Sequence, residues 1–335
     1  MLDRNRTHSR KDTVHLPRVM EAAAIDRFGG PEVLTIRALP VPSIEPGEVL
    51  IAIDTAGVGP WDAEIRAGWY PGRKPHFPLI LGTDGAGVVA AVGSHVRRLK
   101  VGDKVYSYSW ANPKGGFYAQ YVAVAVENVA PIPKRLDLEH AGAIATTGLT
   151  ALQGVDDALH LKKTEHLLIH GASGGVGTLA IQFAKLRGAR VMATASGLDG
   201  IDLVRDMGTD AAVDGRHGNI EDAARQFAPD GLDAVLAFAG GDGLESAIGA
   251  LRNGGRFAYP NGVEPLPKKR RGVTFIPYDA VSGVREFEKL NRAVADAKLK
   301  VPIAESYPLE QAARAHQRFA EGHVLGKMVL RVHHP

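Results

Sequence analysis

The stretch Gly171-Ala172-Ser173-Gly174-Gly175-Val176-Gly177 constrains this chain more than any other. Before it, His166 to His170 reads as a short apolar strand. After it, Val176, Leu179, Ala180, Phe183 and Ala184 recur at helical spacing. Gly188 is expected to stop that helix, and Arg190 to Thr194 reads as a second strand. Glycines at a strand–turn–helix junction inside a βαβ unit are the setting of a dinucleotide-binding fingerprint. A helix N-terminus offers unpaired N–H groups and partial positive charge to a pyrophosphate. Gly174 and Gly175 have no side chain to keep a phosphate from the backbone, and Gly177 lets the helix lie close on its strand. The first glycine of the usual GxGxxG pattern is Ala172 here, giving AxGxxG. Ser173, Gly174, Gly175, Val176 and Gly177 are therefore the cofactor-binding candidates of this loop.

The remainder divides into two patterns. From Met20 to about Pro133, short strand-like runs alternate with Gly/Pro turns, as in Ala22–Asp26, Val49–Asp54, Gly87–Val92, Lys104–Tyr108 and Tyr121–Val126. Leu138 to Val155 reads as a helix rich in small residues. Beyond the glycine loop, the strand-like runs Ala211–Asp214, Asp233–Ala239, Arg256–Tyr259 and Val273–Tyr278 mostly alternate with helical ones. That alternation predicts an α/β class with a doubly wound parallel sheet. Val284–Lys300 reads as a long helix leaving it, followed by the run Val301–Ala304, a helix over Leu309–Ala320 and a strand over Lys327–Val332.

Composition excludes several classes. No apolar run is long enough to cross a bilayer. There is no cysteine, hence no disulfide and no thiolate metal site. The formal net charge of +3 is already reached within residues 1–19, so the rest is neutral and no nucleic-acid surface is indicated. Residues 1–19 are polar and lack an apolar h-region. They are expected to be a disordered tail, with Met20 a possible functional start.

The segment GASGGVGTLAIQFAK resembles the medium-chain dehydrogenase/reductase superfamily, and within it the zeta-crystallin-like quinone oxidoreductases. FGGPEVL, PGEVLIAI, LILGTDGAGVVAAVG, VGDKV and GFYAQYVAV follow in the family's order. The resemblance implies a GroES-like β-rich catalytic domain over 20–142 and 283–335, and a Rossmann dinucleotide-binding domain over 143–282. It also implies a cytoplasmic homodimer. Zinc-bearing relatives place ligands at positions that here hold Gly59 and Thr83, with Asp84 in place of a glutamate, so no metal is expected.

For the cofactor, the resemblance implies NADPH. The position where NAD-selective folds place a carboxylate on the ribose falls on Ala195. Thr194 and Ser196 end that strand, and Ser196 can donate to a 2′-phosphate. Asp199 stands where a basic residue is often found; Arg216 could supply the charge instead. Lys327 matches a basic residue that relatives bring toward the cofactor phosphates. Tyr70 matches a tyrosine near the nicotinamide and is the catalytic candidate, while Trp61 and Trp69 could wall a flat substrate. Gly59 replaces an asparagine that contacts the nicotinamide side, a loss for which Thr146 and Thr147 could compensate. Asp62 is expected to orient its own loop.

Together these residues imply a zinc-independent reductase that passes hydride to a small-molecule quinone or α,β-unsaturated carbonyl. The product's proton would come from water. One alternative is an enoyl-thioester (CoA) reductase, for which the run Lys268-Lys269-Arg270-Arg271 would hold an anionic tail. Another is a non-catalytic NADPH-binding sensor or structural protein.

Overall fold

The computed structural model describes residues 16–70 and 75–332. The first lobe comprises β1 (Val19–Ile25), β2 (Thr35–Pro40), β3 (Glu48–Val58), the short helix α1 (Pro60–Ala67), β4 (Leu79–Ile80), β5 (Asp84–Val92), β6 (Lys104–Tyr108), β7 (Tyr121–Ala125) and β8 (Val129–Pro131). Helix α2 (Leu138–Gln153) leads into the second lobe. That lobe alternates β9 (His166–His170), α3 (Gly175–Leu186), β10 (Arg190–Ala195), α4 (Gly197–Asp206), β11 (Ala211–Asp214), α5 (Ile220–Phe227), β12 (Leu232–Ala237), α6 (Asp242–Gly249), β13 (Leu251–Pro260) and β14 (Thr274–Tyr278). Helix α7 (Val284–Ala297), β15 (Ile303–Pro308), α8 (Ala312–Ala320) and β16 (Lys327–Arg331) complete the chain.

The second lobe is one six-stranded sheet in the order β11-β10-β9-β12-β13-β14, parallel throughout. Its central strands are buried on both faces, as their near-continuous apolar runs require. The order reverses between β9 and β12, and the crevice at such a switch point is where ligands bind. The first lobe holds a seven-stranded sheet to which β15 and β16 return, β16 lying antiparallel to β3.

Helix α2 is buried from Ala141 to Gln153, as a helix apolar on all sides must be. Its small residues let it sink between the lobes: a Cβ at Gly142 would lie 2.7 Å from the Thr55 carbonyl oxygen. Helix α7 closes the other side, Phe287 meeting Tyr106 edge-on at 4.9 Å.

Some elements differ from the sequence reading. Helix α1 and the exposed edge strand β2 were not anticipated. Leu309–Ala320 is a 3₁₀ turn followed by α8. Strand β1 begins at Val19, which pairs with Pro40, and the Arg18 carbonyl accepts from Val41 N. The rest of the expected tail, residues 1–15, lies outside the described residues. No described helix is long and apolar enough to cross a membrane.

Phe287 is fully buried, so Phe287→Ala is expected to cost about 3–5 kcal/mol. Urea titration should show a lower midpoint with an unchanged slope.

Candidate functional site

The glycine loop sits at the switch point. Strand β9 ends at His170, and Gly171 turns the chain with φ +75°. A side chain at Gly171 would meet Ala239 at 2.9 Å. Thr194 Oγ1 accepts from Gly171 N (3.1 Å) and bonds His170 Nδ1 (3.0 Å). Thr194 therefore fixes the entry to the loop, with its hydroxyl spent inside the protein. Burial holds the His170 pKa below its ordinary value, so the ring stays neutral. Gly174 caps α3 and Gly175 is its first residue. A Cβ on Gly174 would meet nothing nearer than 3.9 Å, so this backbone faces open space. Gly177 is the opposite case: a Cβ there would stand 2.5 Å from Ala172 Cα, which is how closely α3 lies on its strand. Val176 is half-buried beside them. A dinucleotide pyrophosphate fits this loop, open at Gly174 and followed by the N-terminus of α3.

The returning chain meets the loop directly. Gly326 N donates to the Ser173 carbonyl at 2.9 Å, and Lys327 lies against Gly175, 3.4 Å from a Cβ built there. Lys327 is only 5% exposed. Its Nζ lies 5.5 Å from the centroid of the Trp61 ring and has no hydrogen-bond or ion-pair partner among the described residues.

Around that ammonium the first lobe and α2 gather buried polar groups. Trp61 Nε1 donates to Thr83 Oγ1 at 2.7 Å. Asp84 Oδ2 accepts from Thr146 N at 3.0 Å. Asp62 Oδ2 accepts from Gly59 N at 2.8 Å, the local orienting bond expected of it. Asp62 Oδ1, Asp84 Oδ1 and Thr146 Oγ1 are buried without a partner. Thr147 Oγ1 instead donates to Ala143 O within α2, so of the two threonines only Thr146 keeps a free hydroxyl. Tyr70 is half-buried and lines a hollow with Ile65, Leu81, Thr83 and Asn112. Trp69 and Trp110 form an exposed tilted pair next to it.

A longer chain of contacts, not anticipated from the sequence, runs behind Asp62. Arg66 Nη1 donates to His316 Nδ1 (3.3 Å), which leaves the ring proton on Nε2. Nε2 then donates to Tyr118 Oη (3.2 Å), and Tyr118 donates to Asp62 Oδ2 (3.3 Å). Burial, helped by Arg66, lowers the His316 pKa to about 3, consistent with that neutral tautomer. Burial, reinforced by Asp84, raises the Asp62 carboxyl to about 7. Tyr118 and His316 are separated by 198 residues, which is why no local pattern exposed the contact.

The remaining candidates lie apart from this centre. Ser196 follows β10, and its hydroxyl makes no capping bond to α4. The exposed Arg216 donates its backbone N–H to Asp214 Oδ1 at 2.8 Å. In the basic run, Arg270 Nη1 donates to the carbonyls of Ile248, Gly249 and Leu251. Arg270 is therefore engaged as a cap on α6.

Two family models match the chain: an alcohol dehydrogenase GroES-like domain over residues 45–134, and a zinc-binding dehydrogenase over 207–330. Zinc does not fit the residues present. Gly59 and Thr83 offer no ligand of the expected kind, and no group of three or more His, Cys, Asp or Glu among the described residues could hold a metal. The chain is 32% identical over 326 residues to a quinone oxidoreductase of Homo sapiens, covering 93% of this chain and 98% of that one. It is 32% identical over 325 residues to an NADPH-dependent alkenal/one oxidoreductase (chloroplastic) of Arabidopsis thaliana, covering 94% and 80%. Among solved structures, an NAD-dependent alcohol dehydrogenase superposes with a TM-score of 0.86 at 34% identity, covering 94% of this chain and 100% of that one.

Asp62 supplies a pH test. A carboxyl whose pKa is higher in the folded than in the unfolded state, where it is near 3.9, binds more protons when folded. Its contribution to stability therefore falls as pH rises from about 4 to about 7. Asp62→Asn is expected to flatten the decline in Tm between pH 5 and 8, by on the order of 2 °C, in parallel thermal scans of both proteins.

Proposed function

Because the chain belongs to the medium-chain dehydrogenase/reductase superfamily, in its quinone oxidoreductase branch, we propose that it is an NADPH-dependent reductase of quinones or α,β-unsaturated carbonyls. It is an oxidoreductase that binds a pyridine nucleotide and acts on a small molecule. The finer reading rests above all on one observation, the glycine loop at the switch point with its open face at Gly174 and the partnerless Lys327 ammonium beside it.

In this reading Ser173 to Gly177 hold the pyrophosphate, and Lys327 adds positive charge at its nicotinamide end. NADPH, when bound, supplies the hydride. Thr146, with its hydroxyl free, faces the same centre as Lys327 and Thr83. Tyr70 and Thr83 border one hollow, in which a hydroxyl could donate to a carbonyl oxygen as charge develops there. Trp69 and Trp110 suit a flat acceptor. The choice of NADPH over NADH is supported by Ala195 at the end of β10, where a carboxylate would repel a 2′-phosphate, and by the unengaged hydroxyl of Ser196. The thioester alternative would depend on Lys268, Lys269 and Arg271, since Arg270 is engaged. A homodimer remains a family-level proposal.

The test compares NADPH and NADH oxidation with 1,4-benzoquinone, 9,10-phenanthrenequinone, an alkenal and crotonyl-CoA. Turnover is expected with NADPH and a quinone or the alkenal; turnover with crotonyl-CoA alone would replace this reading with the thioester one. In the same assay, Lys327→Met is expected to lower kcat/KM roughly tenfold or more, the usual cost of losing a bond to a charged group.

A further inference from the structure

The end of β10 carries a contact between the lobes that the site described above does not use. Gly197 opens α4 with φ +74°. A Cβ built on it would stand 2.8 Å from Asp199 Oδ1 and 3.4 Å from His323 Cε1. His323 Nε2 bonds Asp199 Oδ2 at 2.9 Å. Asp199 belongs to the nucleotide lobe, whereas His323 lies in the turn between α8 and β16 of the other lobe.

That turn is anchored. Arg318 donates to the carbonyls of Gly322 (2.9 Å) and His323 (3.4 Å) and is paired with Glu305. The two partnered side chains remain 37% and 61% exposed, so a ligand can reach them. The His323 hydrogen bond and the Gly200 amide hold the Asp199 carboxyl below its ordinary range. It is therefore a carboxylate at neutral pH.

Resting on the NADPH reading, we propose that His323 recognises the cofactor's 2′-phosphate, and that Asp199 is the counter-ion which that phosphate replaces. The strand end at Ala195–Ser196 is where the adenosine ribose lies in this fold class. A phosphate there gains from a donor, which the Asp199 carboxylate in the segment that follows cannot supply. His323 brings a ring N–H across from the other lobe, already held against Gly197. A ribose without the phosphate can instead donate its 2′-hydroxyl to Asp199. The same pair thus admits both cofactors. The other charged groups facing this corner are Asp214 at the end of β11, Arg216 and His217 just after it, and Arg318, which is committed to Glu305.

The test is fluorescence titration of the full chain with NADPH and NADH at neutral pH, with 2′,5′-ADP as a competitor. His323 has φ +53°, a conformation that asparagine tolerates, so His323→Asn keeps the turn. That variant should bind NADPH about tenfold more weakly, with NADH unchanged. His323→Arg should restore NADPH binding, while Asp199→Asn should tighten NADPH. If wild type prefers NADPH but His323→Asn leaves the NADPH/NADH ratio intact, or weakens both cofactors alike, the inference fails alone. It also fails if Arg216→Ala abolishes the whole preference. If wild type prefers NADH and 2′,5′-ADP does not compete, the NADPH reading fails and takes this inference with it.

Discussion

One backbone contact sets the geometry of this molecule's centre: the Gly326 amide on the Ser173 carbonyl, within a bridge between Gly174 and Gly326. It joins the start of the return strand to the glycine loop, across the boundary between the lobes. Gly326 can make it because φ is +102° and because a side chain there would stand 2.4 Å from the Pro302 carbonyl oxygen. Everything functional on the returning chain is measured from this point. Lys327 follows immediately and is laid along Gly175; His323 precedes it by three residues and reaches Asp199. A shift of β16 by one residue would turn Lys327 away from the loop, because successive strand residues face opposite sides.

The second constraint is electrostatic. Asp62 and Asp84 are both fully buried, each with an oxygen that has no partner, near one lysine that also has none. Buried charge is costly unless paired. The raised Asp62 pKa offsets that cost, since a protonated Asp62 removes the repulsion from Asp84. The chain from Arg66 through His316 and Tyr118 ends on the same carboxyl, so its protonation state is tied to α8 as well as to α1.

The sequence made the glycine loop legible because its signal is local. Seven consecutive residues carry the turn, the cap and the close packing, and flanking periodicity gives the strand and helix. The parallel sheet was legible for the same reason. Helix α1 was not, because it opens on Gly59-Pro60 and is only eight residues long, too short for periodicity to register. Thr146 and Thr147 were indistinguishable in sequence; helical rotation separates them, turning one hydroxyl to its own backbone and leaving the other free. The Asp199–His323 pair spans 124 residues, and only the docking of the two lobes creates it.

Gly59 shows how one substitution reshapes the centre. A Cβ at that position would stand 2.6 Å from the Trp61 indole. An asparagine or cysteine there would have to move the ring or itself be displaced. With glycine, the indole lies against the backbone, its N–H satisfied by Thr83 and one face toward the Lys327 ammonium. A cation over an aromatic face is attracted by the ring's quadrupole, more strongly where water is excluded. The indole thus gives Lys327 a neutral support beside the buried Asp62 and Asp84 carboxyls. No hydrogen bond or ion pair among the described residues occupies its Nζ, so the ammonium can still turn to an anionic group that enters between the lobes.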